Sequence, residues 1–360
     1  MHRTSSILLA VCTLSLGSCL VGRNDPPSLR RVFRKKFLVG ASVSPGNIAS
    51  EESAILLRHF NSVTTENVLK MGPVHPAENK YDFSGADSIA DFAKRHGLGF
   101  RGHTLLWHKQ AADWMFRGPD GRPASRELLM QRLRDHILTV AGRYRGRAYA
   151  WDVVNEAVSD EKDRYLTPTP FLEIIGPEYI EMAFRWAHEA DPGALLFYND
   201  YRETDPVKRG KILRLVKELK QKGVPIHGVG MQCHWSIYGP GEEELEAALR
   251  DYASLGLPIH ITELDVSIWP GEPERREKRP YDSDDRMTPE KSRAQEELYA
   301  MAFRLFRKYA SQIDAVTFWN ITDRHSWLDD WPVRGRKDHP LLFDESLQPK
   351  PAFWRVVRPK

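Results

Sequence analysis

The amino-acid sequence predicts a single (β/α)8 barrel of the α/β class, on three observations. Short apolar runs alternate with amphipathic helical stretches over almost the whole chain. Eight such strand-then-helix units can be counted in roughly 330 residues, the size of a barrel with a few enlarged loops. From the second unit onward, every predicted strand finishes on a polar side chain or a tryptophan, which is where a barrel carries its chemistry.

The predicted strands span 37–43, 62–65, 98–103, 149–155, 195–199, 228–232, 259–263 and 315–319. Several lack polar alternation, as expected of parallel strands covered on both faces. The segments between them read as helices. Residues 50–60 set Ala54, Ile55, Leu57 and Phe60 near one face, and 84–96 opens on Ser84 as a cap and stops at Gly97. Helices over 126–144, 179–189, 206–222, 242–255 and 289–310 follow the same logic, with a short last one over 349–357. A doubly wound open sheet is the alternative. It is disfavoured because the segment after the first strand, Gly40-Ala41-Ser42-Val43-Ser44-Pro45-Gly46, lacks the glycine spacing of a phosphate loop. No internal repeat is present. Residues 269–287, rich in Pro and in both charges, read as a solvated loop after the seventh strand, with a share in a substrate cleft as the other reading.

Composition narrows the function. The net charge of +3 comes from nearly cancelling signs, so nothing favours nucleic acid as a partner. The ten tryptophans suit a protein that handles sugar rings, since an indole offers a flat apolar face and one donor, although most Trp in any barrel are core. At the N-terminus, His2 and Arg3 precede an apolar stretch over 7–16 that is too short to span a bilayer as a mature helix. Leu16-Gly17-Ser18-Cys19 follows and resembles a bacterial lipoprotein box; a plain secretory signal cut nearby is the alternative. On the first reading residues 1–18 are a signal, 19–30 a lipidated Cys19 and tether, and 31–360 the barrel. The product is then an exported lipoprotein of the cell envelope, at the outer membrane or cell surface, held to the membrane by the lipid on Cys19. Cys12 is discarded and Cys233 is left without a disulfide partner.

Glu156 and Glu263 end the fourth and seventh predicted strands, which approach the mouth from opposite sides. Cleaving a glycoside needs an acid for the departing oxygen and a second carboxylate at the anomeric carbon. If the second attacks directly, the two groups belong about 5–5.5 Å apart. Alone, two such Glu can equally bind a metal or form an ion pair. Metal is disfavoured because the nearby His are scattered singly, and no cofactor is called for.

These residues carry a resemblance. Trp151-Asp152-Val153-Val154-Asn155-Glu156-Ala157 and Ile261-Thr262-Glu263-Leu264-Asp265 resemble the two catalytic signatures of the family-ten glycoside hydrolases, mainly endo-β-1,4-xylanases. Thr65-Glu66-Asn67 with Lys70, Arg101-Gly102-His103-Thr104-Leu105-Leu106-Trp107-His108, Tyr198-Asn199-Asp200-Tyr201, Gly230-Met231-Gln232-Cys233-His234 and Pro340-Leu341-Leu342-Phe343-Asp344 match in order. The likeness covers about residues 37–357.

The resemblance implies an enzyme that cleaves xylan or xylo-oligosaccharides with retention, Glu156 as acid/base and Glu263 as nucleophile; a monomer is the separate expectation. Asn155 would bond the 2-hydroxyl of the reacting sugar. His234 would hold Glu263 and be oriented by Asp265, with Gln232 close by. Glu66, Asn67, Lys70 and His103 would bind hydroxyls on the non-reducing side, walled by Trp107, Trp319 and Trp327. A pocket closed by Trp327 and Lys70 would reject the hydroxymethyl group of glucose by clash. Asn199 and Asp200 serve either the substrate or merely the turn after strand five, and Cys233 reads as packing. Three positions depart from the family pattern: Asn320 stands where glycine is usual, Met71-Gly72 where an aromatic is common, and Arg202 where Asn is common. Two rivals remain: a β-1,4-glucanase on the same barrel, and a non-catalytic glycan-binding protein, which would have lost a carboxylate.

Overall fold

Buried apolar strands of a βαβ chain must pair side by side, and here they pair until they meet. The computed structural model describes residues 27–270 and 285–358. Its strands are β1 (Leu38–Val43), β2 (Ser62–Thr65), β3 (Gly99–Leu106), β4 (Ala148–Asn155), β5 (Leu195–Asp200), β6 (Gly228–Met231), β7 (His234–Ser236), β8 (Ile259–Ser267) and β9 (Ile313–Phe318). Every pairing among them is parallel. β1 pairs with β9 and β6 with β8, which closes an eight-stranded ring; β7 continues β6 beyond a break and pairs with the outer half of β8. The expected barrel is what forms.

Helices pack around this ring, and their ends follow local rules. Thr288 caps the helix Pro289–Lys308 by accepting from Lys291 N at 3.3 Å, with Pro289 in the first turn. The helix Ser84–His96 buries Ala86, Ile89, Ala90, Phe92 and Ala93 and ends on Gly97 at φ 65°, a conformation glycine adopts without Cβ strain. Ser84 is not its cap, as the sequence suggested. It is the first helical residue, and Asp82 Oδ1 accepts from its N–H at 3.0 Å. A six-residue helix, Pro170–Ile175, was not foreseen, although Thr169-Pro170 is a readable start signal.

The barrel interior holds one buried charge pair. Arg101 of β3 and Asp152 of β4 are each 1 % exposed and share two hydrogen bonds. Arg101 also donates to His260 Nδ1 at 2.6 Å and lies 4.7 Å over the Phe197 ring. Burial, and next the neighbouring guanidinium, push the His260 pKa well down, so this ring stays neutral. On the opposite, helix-facing side of β3, Gly102 is needed because a Cβ would come within 2.1 Å of the Trp151 ring, which packs there against Tyr144 at 6.2 Å.

The expected signal, Cys19 and residues 20–26 of the tether lie outside the described residues, as do 271–284 of the 269–287 insertion. Its described root is packed: Trp269 is buried and donates to Lys337 O at 3.0 Å. Among the described residues no helix is long and apolar enough to cross a membrane.

Candidate active site

The carboxyl ends of the strands surround a cleft of about 810 Å³. Its lining contains every substrate-binding, catalytic and supporting residue named from the sequence: Glu66, Asn67, Lys70, His103, Trp107, Asn155, Glu156, Gln232, His234, Glu263, Asp265, Trp319 and Trp327. Six non-glycine residues among those described have a left-handed backbone; Glu156 (φ 59°) and Arg202 (φ 52°) line the cleft, and Cys233 (φ 60°) and Asn320 (φ 90°) are buried next in sequence to lining residues. Each such conformation costs about 1–3 kcal/mol and persists only where its surroundings impose it. At Glu156 the turn comes directly after β4, where Glu156 N donates to Asn199 O at 3.0 Å. At Cys233 it breaks the sixth barrel strand into β6 and β7, with Gln232 on one side of the break and His234 on the other.

An unbroken set of hydrogen bonds joins the two glutamates. Gln232 Nε2 donates to Glu156 Oε1 at 3.1 Å and to Asn155 Oδ1 at 3.2 Å. Asn199 Nδ2 donates to the same Asn155 oxygen at 2.9 Å and to Glu263 Oε1 at 2.7 Å. Asn199 is held in turn by Thr262, whose hydroxyl donates to its Oδ1 at 2.7 Å. Two carboxylates bound through one amide lattice have their separation fixed by the barrel rather than by substrate.

The second oxygen of each glutamate meets a cation. His234 donates from Nε2 to Glu263 Oε2 at 3.2 Å and from Nδ1 to Asp265 Oδ2 at 2.9 Å. Burial alone would lower the His234 pKa, but the Asp265 charge and the two carboxylate bonds outweigh it and lift it to about 10. The ring is therefore an imidazolium at neutral pH and can donate from both nitrogens. Trp327 Nε1 donates to the same Asp265 oxygen at 2.8 Å, tying a cleft wall to this support. On the other side, Lys109 Nζ lies 2.8 Å from Glu156 Oε2. Burial pushes the Glu156 carboxyl up, yet the Lys109 ammonium and the bonds from Lys109 and Gln232 prevail and hold it below the usual range.

The glycone side is built around Lys70. This side chain is 7 % exposed, donates to Asn67 Oδ1 at 2.8 Å and lies 4.9 Å over Trp107 and 5.8 Å over Trp319. Burial depresses its pKa against the opposing pull of Glu263, Glu66 and Glu156. Burial raises Glu66, with Lys70, Asn320 and Asn67 only partly offsetting it. His103 donates from Nδ1 to Asp152 Oδ2 at 3.0 Å, which couples the cleft to the buried Arg101 pair, and meets the Trp319 ring edge-on at 5.2 Å.

Three residues enter this picture beyond the sequence reading. Asn199, ambiguous before, belongs to the site and not merely to a turn. Asp200 sits behind it, bonded by Tyr198 and 2.9 Å from Lys208, its pKa pushed up to about 6 by burial against that ammonium. Lys109 was missed; its only sequence signal was its place just past the third strand. Asn320 is explained by its φ of 90°: glycine suits that backbone, and Asn is among the few other residues that tolerate it. Its buried side chain stands beside Glu66. Cys233 is a buried free thiol whose pKa burial pushes up, consistent with packing.

Comparison with known proteins follows the same lines. Residues 28–359 match the family described as glycosyl hydrolase family 10. Endo-1,4-beta-xylanase B of Paenibacillus barcinonensis is 48% identical over 331 residues, covering 92% of this chain and 98% of the relative. Endo-1,4-beta-xylanase of Geobacillus stearothermophilus is 48% identical over 333 residues, with the same coverage of 92% and 98%. The crystal structure of xylanase XynB from Paenibacillus barcinonensis with a conduramine derivative superposes with a TM-score of 0.89 at 48% identity, covering 93% of this chain and 99% of that one. The endo-1,4-beta-xylanase of Caldicellulosiruptor owensensis superposes at 0.88 with 43% identity, over 92% of this chain and 100% of that one. The barrel, the two glutamates and these likenesses agree: this chain belongs to glycosyl hydrolase family 10.

Proposed function

We propose that this protein is a retaining endo-β-1,4-xylanase working by double displacement. The observation that carries the reading is the amide lattice of Gln232, Asn155 and Asn199, which holds Glu156 and Glu263 to one another across the mouth. In the first step a Glu263 oxygen bonds to the anomeric carbon as the bond to the departing sugar oxygen breaks, and that oxygen takes the proton of Glu156. In the second, Glu156 removes a proton from water, the water oxygen bonds to the anomeric carbon, and Glu263 leaves as carboxylate. The names of the relatives support xylan as substrate, and Lys70 with Trp327 supplies a wall against the hydroxymethyl group of glucan.

Two substitutions test the roles. Glu263→Ala is expected to lower kcat on xylan by several orders of magnitude while leaving binding of xylohexaose nearly unchanged. Glu156→Ala is expected to spare the first step on dinitrophenyl β-xylobioside, whose leaving group needs little protonation, and to abolish cleavage of xylohexaose. Equal losses on both substrates would remove the acid/base role. A preference for carboxymethyl-cellulose over xylan would overturn the substrate.

The N-terminal box supports a further reading, an envelope lipoprotein anchored through Cys19. Cys19→Ala is expected to move the protein from the membrane fraction to the soluble one; unchanged sedimentation with membranes would dismiss the anchor.

A further inference from the structure

The reaction needs a proton on Glu156 at the first step, and the free enzyme presents that carboxyl already occupied. Oε1 is committed to Gln232 Nε2 at 3.1 Å, with Asn155 Nδ2 at 3.5 Å. Oε2 is the atom left to carry a proton toward a glycosidic oxygen, and Lys109 Nζ lies 2.8 Å from it. The ammonium and the departing sugar oxygen therefore compete for one oxygen atom. The two partners differ in freedom: the Glu156 side chain is 8 % exposed, whereas that of Lys109 is 47 % exposed and stands in the middle of a short 3-10 turn, His108–Gln110, that buries none of its residues. Being half-exposed, Lys109 can move out toward solvent; its Nζ stands 5.7 Å from the Trp107 ring and 5.0 Å from the Tyr201 ring, where Lys208 Nζ already lies at 3.5 Å.

We propose that Lys109 is a positioning residue that couples occupancy of the leaving-group side of the cleft to whether Glu156 carries a proton. The inference rests on the acid/base role of Glu156. In the free enzyme the ammonium sits on Oε2 and keeps the carboxylate ionised. A sugar bound on the leaving-group side displaces it from Oε2 toward solvent, and the carboxyl, buried and stripped of its counter-charge, takes up the proton that the first step spends. Once the cleaved sugar departs, Lys109 returns to Oε2 and favours the ionised form that must accept a proton from water.

Other charges face Glu156, and none of them duplicates this contact. Lys70 approaches from the end of β2 and His108 from beside Lys109; Asp200 and Tyr201 stand at the end of β5, Lys208 behind them, and Glu263 across the mouth. Lys70 is held by Asn67 at 2.8 Å and Lys208 by Asp160 at 2.7 Å and Asp200 at 2.9 Å, so both are committed elsewhere. Gln232 and Trp107 complete the surroundings as neutral groups.

The test is the alkaline limb of kcat/KM, which reports the acid of the free enzyme. On xylohexaose, Lys109→Met is expected to move that limb up by about one pH unit, the size of effect a close opposite charge exerts at a half-exposed site. Lys109→Arg, which keeps the charge, is expected to leave the limb within about 0.3 unit of the wild type. On dinitrophenyl β-xylobioside, which needs no acid, the Met variant should show no alkaline shift. A Met limb that coincides with the wild type, or an Arg limb that moves as far as the Met one, overturns the proposal. If Glu156→Ala loses both substrates equally, it is the acid/base role itself that fails.

Discussion

Asn199 Nδ2 donates to Glu263 Oε1 at 2.7 Å, and the same nitrogen donates to Asn155 Oδ1 at 2.9 Å. One buried amide thus aims the carboxylate and ties it to the residue beside the other glutamate. Asn199→Ala should lower kcat by about 10- to 100-fold, the range for losing a supporting donor. Thr262 and Asn155 would also lose a partner, at about 1–3 kcal/mol of stability. Assays well below the melting temperature separate the two effects, and wild-type kcat there would sink this role.

Gly230 of β6 makes room for that amide. A Cβ at this position would lie 2.2 Å from Asn199 Oδ1 and 3.0 Å from Thr262 Cγ2. Gly230→Ala is therefore expected to displace Asn199 and reduce activity at least as far as Asn199→Ala. In the double variant the second change should add little, since one contact is being removed twice. Losses that multiply fully would show that the two residues act independently.

Asp265 is the principal counter-charge of His234. With Asp265→Asn, burial is left to lower a pKa that now stands at about 10, so the ring loses its proton at a lower pH. A neutral imidazole keeps a single donor and no charge, so the bond to Glu263 is no longer charge-assisted. The expected outcome is a kcat on dinitrophenyl β-xylobioside about 10- to 100-fold lower at pH 7, with the alkaline loss beginning at lower pH than in the wild type. Profiles that superimpose after scaling would contradict it.

Acid should destabilise the fold through buried neutral histidines. Burial lowers His59 and His75 to about 4 and His136 to about 3, from an ordinary 6.5. Since the unfolded chain binds these protons more tightly, stability is intact above pH 6.5 and falls as pH drops from there toward 4 and 3. His59, 1 % exposed and packed on Phe343 and Phe353, would alone account for roughly 3 kcal/mol at pH 4. His59→Phe is expected to flatten the fall in melting temperature between pH 6.5 and 4. A slope equal to the wild type would exclude His59 as a contributor.

Where apolar runs were bounded by clear polar ends, the strands could be read closely: 62–65 is β2 residue for residue, and 149–155 differs from β4 by one position. The third and seventh predicted strands ended too early. β3 continues to Leu106, and β8 runs four residues beyond Glu263 because β7 pairs with its outer half, at His234–Asp265, Trp235–Val266 and Ser236–Ser267. That pairing depends on the break at Cys233, whose left-handed backbone no local preference of a cysteine would suggest.

Alternation of apolar strands and amphipathic helices favoured the barrel, while the catalytic pair and its supporting roles came from the resemblance to the family signatures. A barrel places strand ends around one mouth, so the polar side chains at those ends could be named as candidates. Residue type and position along a strand carry that information because parallel pairing fixes which end each strand presents. What the chain order does not contain is contact between the ends of different strands. Asn199 reaches Glu263 from β5 to β8, and Lys109 reaches Glu156 from the loop after β3 to the end of β4, 64 and 47 residues apart in sequence. Such distances are set only when the ring closes and burial selects which polar atoms must find one another.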